Sequence, residues 1–154
     1  MKTRLVFVLC AAVVVLGCDV RASLYPVQGP LSKQSPAVTY AAKIEGFNGP
    51  GKTISVSYRD GEVLSGNWEI VPGARASKGA TATSAPVSDN LSADWDAVYG
   101  PGFYSGHVLG QSYERAVLNG NHGTVMTVEL YGGRQSIRGV ARDGQGNVFK
   151  VVVY

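Results

Sequence analysis

The chain is short of cysteine, of charge and of helical periodicity, and each shortage removes a class of protein. Its 154 residues include two cysteines, Cys10 and Cys18. Cys10 lies inside the apolar run 5–16, so a chain that loses this run keeps a single thiol and forms no internal disulfide. Charged residues are 16% of the chain against the usual ~25%, which excludes a highly charged disordered chain. Fourteen Lys and Arg against eleven Asp and Glu leave a net charge of +3 with the signs scattered. No basic stripe is present of the kind that holds nucleic acid. No stretch keeps apolar residues at helical spacing over three turns, which excludes a coiled coil and a long helical bundle. No apolar run reaches the roughly 20 residues that a spanning helix needs.

What is present begins with an address. Lys2 and Arg4 precede twelve apolar residues, Leu5 to Leu16, the charged and apolar regions of a secretory signal. Two cleavage patterns follow. Val15-Leu16-Gly17-Cys18 resembles the bacterial lipobox, with a small residue directly before the cysteine. The resemblance implies removal of residues 1–17 and a diacylglyceryl thioether on Cys18. Two or three acyl chains anchor a protein stably, because each buried CH₂ contributes ~0.8 kcal/mol. The other pattern is Val20-Arg21-Ala22, cut before Ser23 to release a secreted protein. The cysteine count favours the first, since exported domains normally use cysteine in pairs and acylation consumes the odd one. Asp19 resembles the residue that retains enteric lipoproteins on the inner membrane, but sorting rules differ among bacteria and either membrane stays open.

Residues 18–37 contain Pro26, Pro30 and Pro36 without periodicity, and are expected to be a lipid-anchored Pro-rich tether whose Leu24–Leu31 piece could dock as an extended strand. From residue 38 to 154 an all-β domain is expected. In 53–58 Ile54, Val56 and Tyr58 share one face, Asp60-Gly61 is a hairpin signal, and Leu64, Gly66, Trp68 and Ile70 share the next face. Residues 72–94, rich in Ala, Gly, Ser and Thr, form an irregular loop longer than the ~12–15 residues usual without structure. Beyond it come a weak strand candidate at 103–109 and clearer strands at 113–118, 124–131, 136–142 and 148–154, joined by Gly/Asn/Asp turns. Seven or eight strands in a meander of hairpins predict a single antiparallel β-barrel or β-sandwich.

Chemical motifs are few. Gly46 to Thr53 fits the phosphate-loop pattern G-x-x-x-x-G-K-[ST], but Lys52-Thr53 leads into a β-alternating run instead of a helix, and Pro50 lacks an amide donor. Nucleotide binding is not expected, and neither nucleic acid nor any cofactor is implied. Ser105 lacks the nucleophile-elbow frame. His107 and His122, the two histidines, fall at a strand start and in a turn, where a solvated ring is the ordinary reading. Asp89, Asp94 and Asp96 are close in sequence but miss the calcium-loop spacing, and read better as capping acids around Trp95; no metal site is expected. The aromatic group Trp95, Tyr99, Phe103 and Tyr104 is the candidate interaction surface, since Trp and Tyr are enriched at hot spots. The same residues could instead plug core.

The segment Leu24–Leu31 behind the lipobox, Trp95–Gly100 and the closing 139–150 resemble segments of small uncharacterised proteobacterial lipoproteins, a family that carries no known activity. Small lysozyme-inhibitor lipoproteins are similar in size and β content, but their inhibitory motif has no match here. The expected protein faces the periplasm from a bacterial membrane, held through Cys18, and acts as a non-enzymatic binding or scaffolding module with an envelope protein as partner. The alternatives are a periplasmic lysozyme-type hydrolase inhibitor or small-ligand binder and, third, a secreted enzyme.

Overall fold

A computed structural model describes residues 19–46, 51–73, 91–132 and 136–154. The signal segment and Cys18 lie outside them, as do residues 74–90 of the irregular loop.

Eight antiparallel strands close into one barrel in chain order. They are β1 (Val20–Gln28), β2 (Tyr40–Glu45), β3 (Thr53–Ser57), β4 (Val63–Val71), β5 (Tyr113–Gly120), β6 (Val125–Tyr131), β7 (Arg138–Asp143) and β8 (Val148–Val153). Closure is made by β1 against β8, with Leu24 opposite Val151. The fold is therefore all-β and up-and-down, and of the two architectures expected it is the barrel. Strand alternation explains the interior. In β2, Tyr40, Ala42 and Ile44 are buried while Ala41, Lys43 and Glu45 are exposed. Ile54, Val56, Leu64, Leu118, Met126, Val128 and Phe149 join them in a packed core.

The Asp60-Gly61 signal is a real turn. Both residues have positive φ, 56° and 72°, and Ser57 pairs with Val63 across it. Gly66 has a different reason to lack a side chain: a Cβ there would sit 2.2 Å from the Val117 carbonyl oxygen of the next strand.

Three expectations are corrected. Residues 20–28 are not tether but the first wall of the barrel, so the extended strand allowed for Leu24–Leu31 is found over 24–28, and a 3₁₀ turn follows at Pro30–Lys33. Pro26 is accommodated because it lies beyond the last β1–β2 pair, Leu24 with Tyr40, at a register shift against β8. The folded domain thus starts at Val20 and not at residue 38. The end of the 72–94 loop is helical, since α1 spans Ser92–Tyr99. The strand candidate at 103–109 is a π-helical turn, Tyr104–Val108.

Strand order gives the barrel two unlike ends. At the terminal end β1 starts, β8 finishes, and Val20, Trp68, Ile137 and Val153 are partly buried against the core. The opposite, plugged end holds the β3–β4, β5–β6 and β7–β8 turns and is closed by Leu31.

Candidate functional site

The helical segment forms a lid on the outer wall of β6 and β7. That wall is buried on both faces: Met126 to Leu130 are all buried, so the outward residues of β6 are covered instead of solvated. Gly100 and Gly102, at φ 108° and 78°, turn the chain between α1 and the π-helical turn. The Asp96 carboxylate accepts the Tyr104 backbone N–H at 2.8 Å and holds that turn.

Trp95 is the hub. Its ring stacks on Tyr99 at 5.6 Å and on Phe103 at 5.9 Å, and meets Tyr131 edge-on at 6.5 Å. Its indole N–H donates to Glu129 Oε2 at 2.8 Å. Arg115 donates from Nε and Nη2 to Glu129 Oε1 at 3.1 and 2.7 Å. Burial opposes the Arg115 charge, but the Glu129 partner outweighs it and holds the guanidinium pKa above its ordinary value. A second clamp runs from Arg142 to Asp94, 2.5 Å apart. The other Asp94 oxygen is buried without a hydrogen bond, and burial raises this carboxyl against the pull of Arg142. Tyr99 completes the attachment by donating to the Gly139 carbonyl at 3.2 Å and accepting its N–H at 3.1 Å.

Trp95 is fully buried and is therefore core, not surface. Tyr99, Phe103 and Tyr104 are half-buried, so their outer edges remain accessible. Beside them His107 stacks on Phe103 at 4.5 Å, Arg138 lies 5.2 Å from the Phe103 ring centre, and Lys150 lies 5.6 Å from that of Tyr99. The result is a small aromatic platform with two cations, suited to contact with a polar or anionic partner.

The plugged end carries a buried polar network. Tyr58 donates to Asp143 Oδ2 at 2.6 Å, and its hydroxyl pKa is pushed well up by burial and then by Asp143. Asn147 donates its side-chain amide to the same oxygen at 2.7 Å and accepts the Leu31 N–H at 2.9 Å. Glu62 ties the neighbouring turn, accepting the Thr124 hydroxyl at 2.6 Å and the backbone N–H groups of Thr124 and His122 at 3.0 and 3.1 Å. At the terminal end Lys52, from the phosphate-loop-like stretch, is buried, pairs with Glu114 and sits 5.2 Å from the Trp68 ring centre. Strand β3 follows it directly, so the helix a phosphate loop requires is replaced by strand.

The structure does not gather the other candidates. His107 and His122 belong to the lid and to the β5–β6 turn, and Ser105 donates to the Gly102 carbonyl. Asp94 and Asp96 point to different partners, Arg142 and Tyr104, while Asp89 lies outside the described residues. Sequence reading missed Glu129, Arg115, Glu62 and Asp143, the residues that organise the polar contacts. The available signal was a charge on strand, as in Thr127-Val128-Glu129, which looks like an ordinary outward residue until a lid is known to cover it.

Comparison of the chain with protein-family models, curated proteins and solved structures finds no match in any of the three.

Proposed function

We propose that the chain is a lipid-anchored protein of the bacterial cell envelope, akin to the small uncharacterised lipoproteins it resembles, whose barrel works as a non-enzymatic binding or scaffolding module. The observation that carries the anchor is the position of β1. Cleavage before Ser23 would delete Val20, Arg21 and Ala22, which pair with Ile44, Lys43 and Ala42. Ala22 is a buried core residue, and the Arg21 carbonyl accepts the Tyr154 N–H at 2.9 Å. Processing at Cys18 leaves the whole strand intact, and so favours the lipobox over the alternative site.

The binding role rests on how the buried acids are used. Glu62, Asp94, Glu129 and Asp143 each hold structural partners. Among the described residues, side chains pack the barrel core, and the edges of Tyr99, Phe103 and Tyr104 make a built patch on its surface to which we assign recognition.

Metabolic labelling with a palmitate analogue tests the anchor. Wild type takes up label and partitions to the membrane; Cys18→Ser loses both. A mature N-terminus at Ser23 with no label overturns it. Pull-down from envelope extract tests the role. A structural envelope partner supports scaffolding, and a soluble lytic enzyme supports inhibition instead.

A further inference from the structure

We infer that the outer wall beside the lid binds an acidic, ring-bearing segment of a partner protein, with Arg138 and Lys150 taking its carboxylates and the edges of Tyr99 and Phe103 taking its apolar side chains. The inference rests on the reading of the barrel as a binding module and names the chemistry of its partner.

The first argument is charge. Phe149 and Val151 point into the core, so Lys150 between them points outward. Arg138 stands opposite Val152, and Lys150 opposite Val140. The two cations are therefore diagonal neighbours on adjacent strands, about 7–8 Å apart at the backbone. Their charged ends meet the lid. Arg138 lies 5.9 Å from the Tyr99 ring centre and 5.2 Å from that of Phe103, and Lys150 lies 5.6 Å from that of Tyr99. Both residues are exposed. Among the described residues no carboxylate pairs with either. The acids of the lid and of the wall beneath it are spent on holding the lid. Asp94 meets Arg142, Asp96 accepts the Tyr104 N–H, and Glu129 is shared by Arg115 and Trp95. An arriving anion thus meets two cations that break no salt bridge with a described residue to receive it.

The second argument is the rings. Tyr99, Phe103 and His107 form a stack with successive centres 4.9 and 4.5 Å apart. Trp95 backs the first two and is itself fixed by Glu129. The stack is held before any partner arrives, so little side-chain freedom is lost on binding. On the other side of Lys150, directly opposite it on β1, stands exposed Tyr25. Lys150 therefore sits between two aromatic groups. Tyr and Arg are enriched at the hot spots of protein interfaces.

The class of partner follows from what this wall can and cannot offer. The barrel is closed, so it has no strand edge to add a partner's backbone to, and recognition falls to side chains. Two cations are fewer than the ~4–8 basic residues that hold an anionic bilayer surface. They also make no stripe for nucleic acid. A short segment with carboxylates beside an aromatic residue uses both the cations and the rings.

The test uses full-length acylated protein in a non-ionic detergent, with intact mass measured on the same sample. The probes are the peptides Glu-Glu-Tyr-Glu-Glu-Tyr and Gln-Gln-Tyr-Gln-Gln-Tyr, each carrying a neutral fluorophore and followed by fluorescence polarisation. The acidic peptide is expected to bind roughly fivefold tighter than the neutral one. Arg138→Gln with Lys150→Gln should remove that preference, and Phe103→Leu should weaken both peptides. Lys33→Gln with Arg59→Gln removes the same charge at the plugged end and should leave the preference intact. Arg138→Glu with Lys150→Glu should bind Lys-Lys-Tyr-Lys-Lys-Tyr in preference to the acidic peptide, which a merely misfolded variant would not do. Equal binding of the acidic and neutral peptides to wild type, or equal loss in the two Gln double variants, overturns the site. Trigalacturonate that displaces the acidic peptide at a lower concentration than unlabelled peptide does overturns the choice of a protein partner. An envelope protein captured equally by wild type and by the Arg138→Gln, Lys150→Gln protein keeps the binding role and overturns this site. A mass without acyl chains overturns the anchor alone, and the peptide comparison decides the site as before.

Discussion

Trp95 and Glu129 meet 2.8 Å apart beneath the lid, and their contact is the point where the helical segment becomes part of the barrel. Glu129 is 1% exposed, so its charge is tolerable only because Arg115 and the indole N–H saturate its two oxygens. Glu129→Ala removes the carboxylate that Arg115 and the indole share and is expected to cost about 3–5 kcal/mol. Trp95→Phe keeps much of the ring but removes the donor, and should cost about 1–3 kcal/mol. Urea midpoints measured in parallel check the order; a Glu129→Ala midpoint equal to wild type contradicts the clamp.

Asp94 makes stability depend on pH in an unusual direction. Burial raises its folded pKa above the ordinary carboxylate value despite Arg142. A raised carboxyl holds its proton more tightly folded than unfolded. Its contribution is fully present below the unfolded pKa and is lost as pH rises through the folded one. The gap in melting temperature between wild type and Asp94→Asn should therefore shift against wild type as pH climbs from the acid range towards neutral. A gap independent of pH counts against this account.

Glu62 runs the other way. The Thr124 hydroxyl, together with the N–H groups of Thr124 and His122, overcomes burial and lowers its pKa. Its stabilisation is present above the unfolded pKa and is lost as pH falls through the lower folded value. Glu62→Gln should flatten the acid limb of the melting curve, read as melting temperature against pH, and leave neutral behaviour less stable than wild type.

Gly66→Ala places a Cβ 2.2 Å from the Val117 carbonyl and should cost about 1–3 kcal/mol as β4 and β5 are forced apart. Ser65→Ala, exposed and one residue away, should stay within ~0.5 kcal/mol. Chemical denaturation of the pair separates backbone crowding from loss of strand propensity.

The strands with one wet face were legible from residues alone. Thr53–Ser57 and Val63–Val71 alternate, and Asp60-Gly61 marks their turn, so the hairpin appears where the pattern places it. β5 and β8 follow the same alternation, whereas β6 and β7 were marked by their flanking Gly/Asn/Asp turns and are covered on both faces; eight strands in all fulfil the barrel expectation. β1 was half hidden by composition: the apolar Leu24–Leu31 piece suggested a docked strand, but Pro26 and Pro30 look like a spacer, and only the three-dimensional register shows Pro26 beyond the paired stretch with β2. α1 was hidden by length, since eight residues make little more than two turns and show no long helical period. The aromatic group was visible as a group, but which of its members faces water depends on β6 and β7, whose own covering is a non-local fact. The Glu129–Arg115–Trp95 contacts are non-local in the same way.

Closure of the sheet by its first and last strands also sets an order of events. Ser23 and Tyr154 stand 2.9 Å apart through their hydroxyls, yet 131 residues separate them along the chain. Until Val148–Val153 has left the ribosome, or crossed a membrane, β1 and β7 each present an open edge. Unpaired edges recruit other chains, and pairing at such separation is slow because the loop must close before any contact rewards it. The final six-residue strand is thus the latch of the whole molecule. Shortening the chain there would not trim a barrel but leave a sheet, with two edges free to pair with its neighbours.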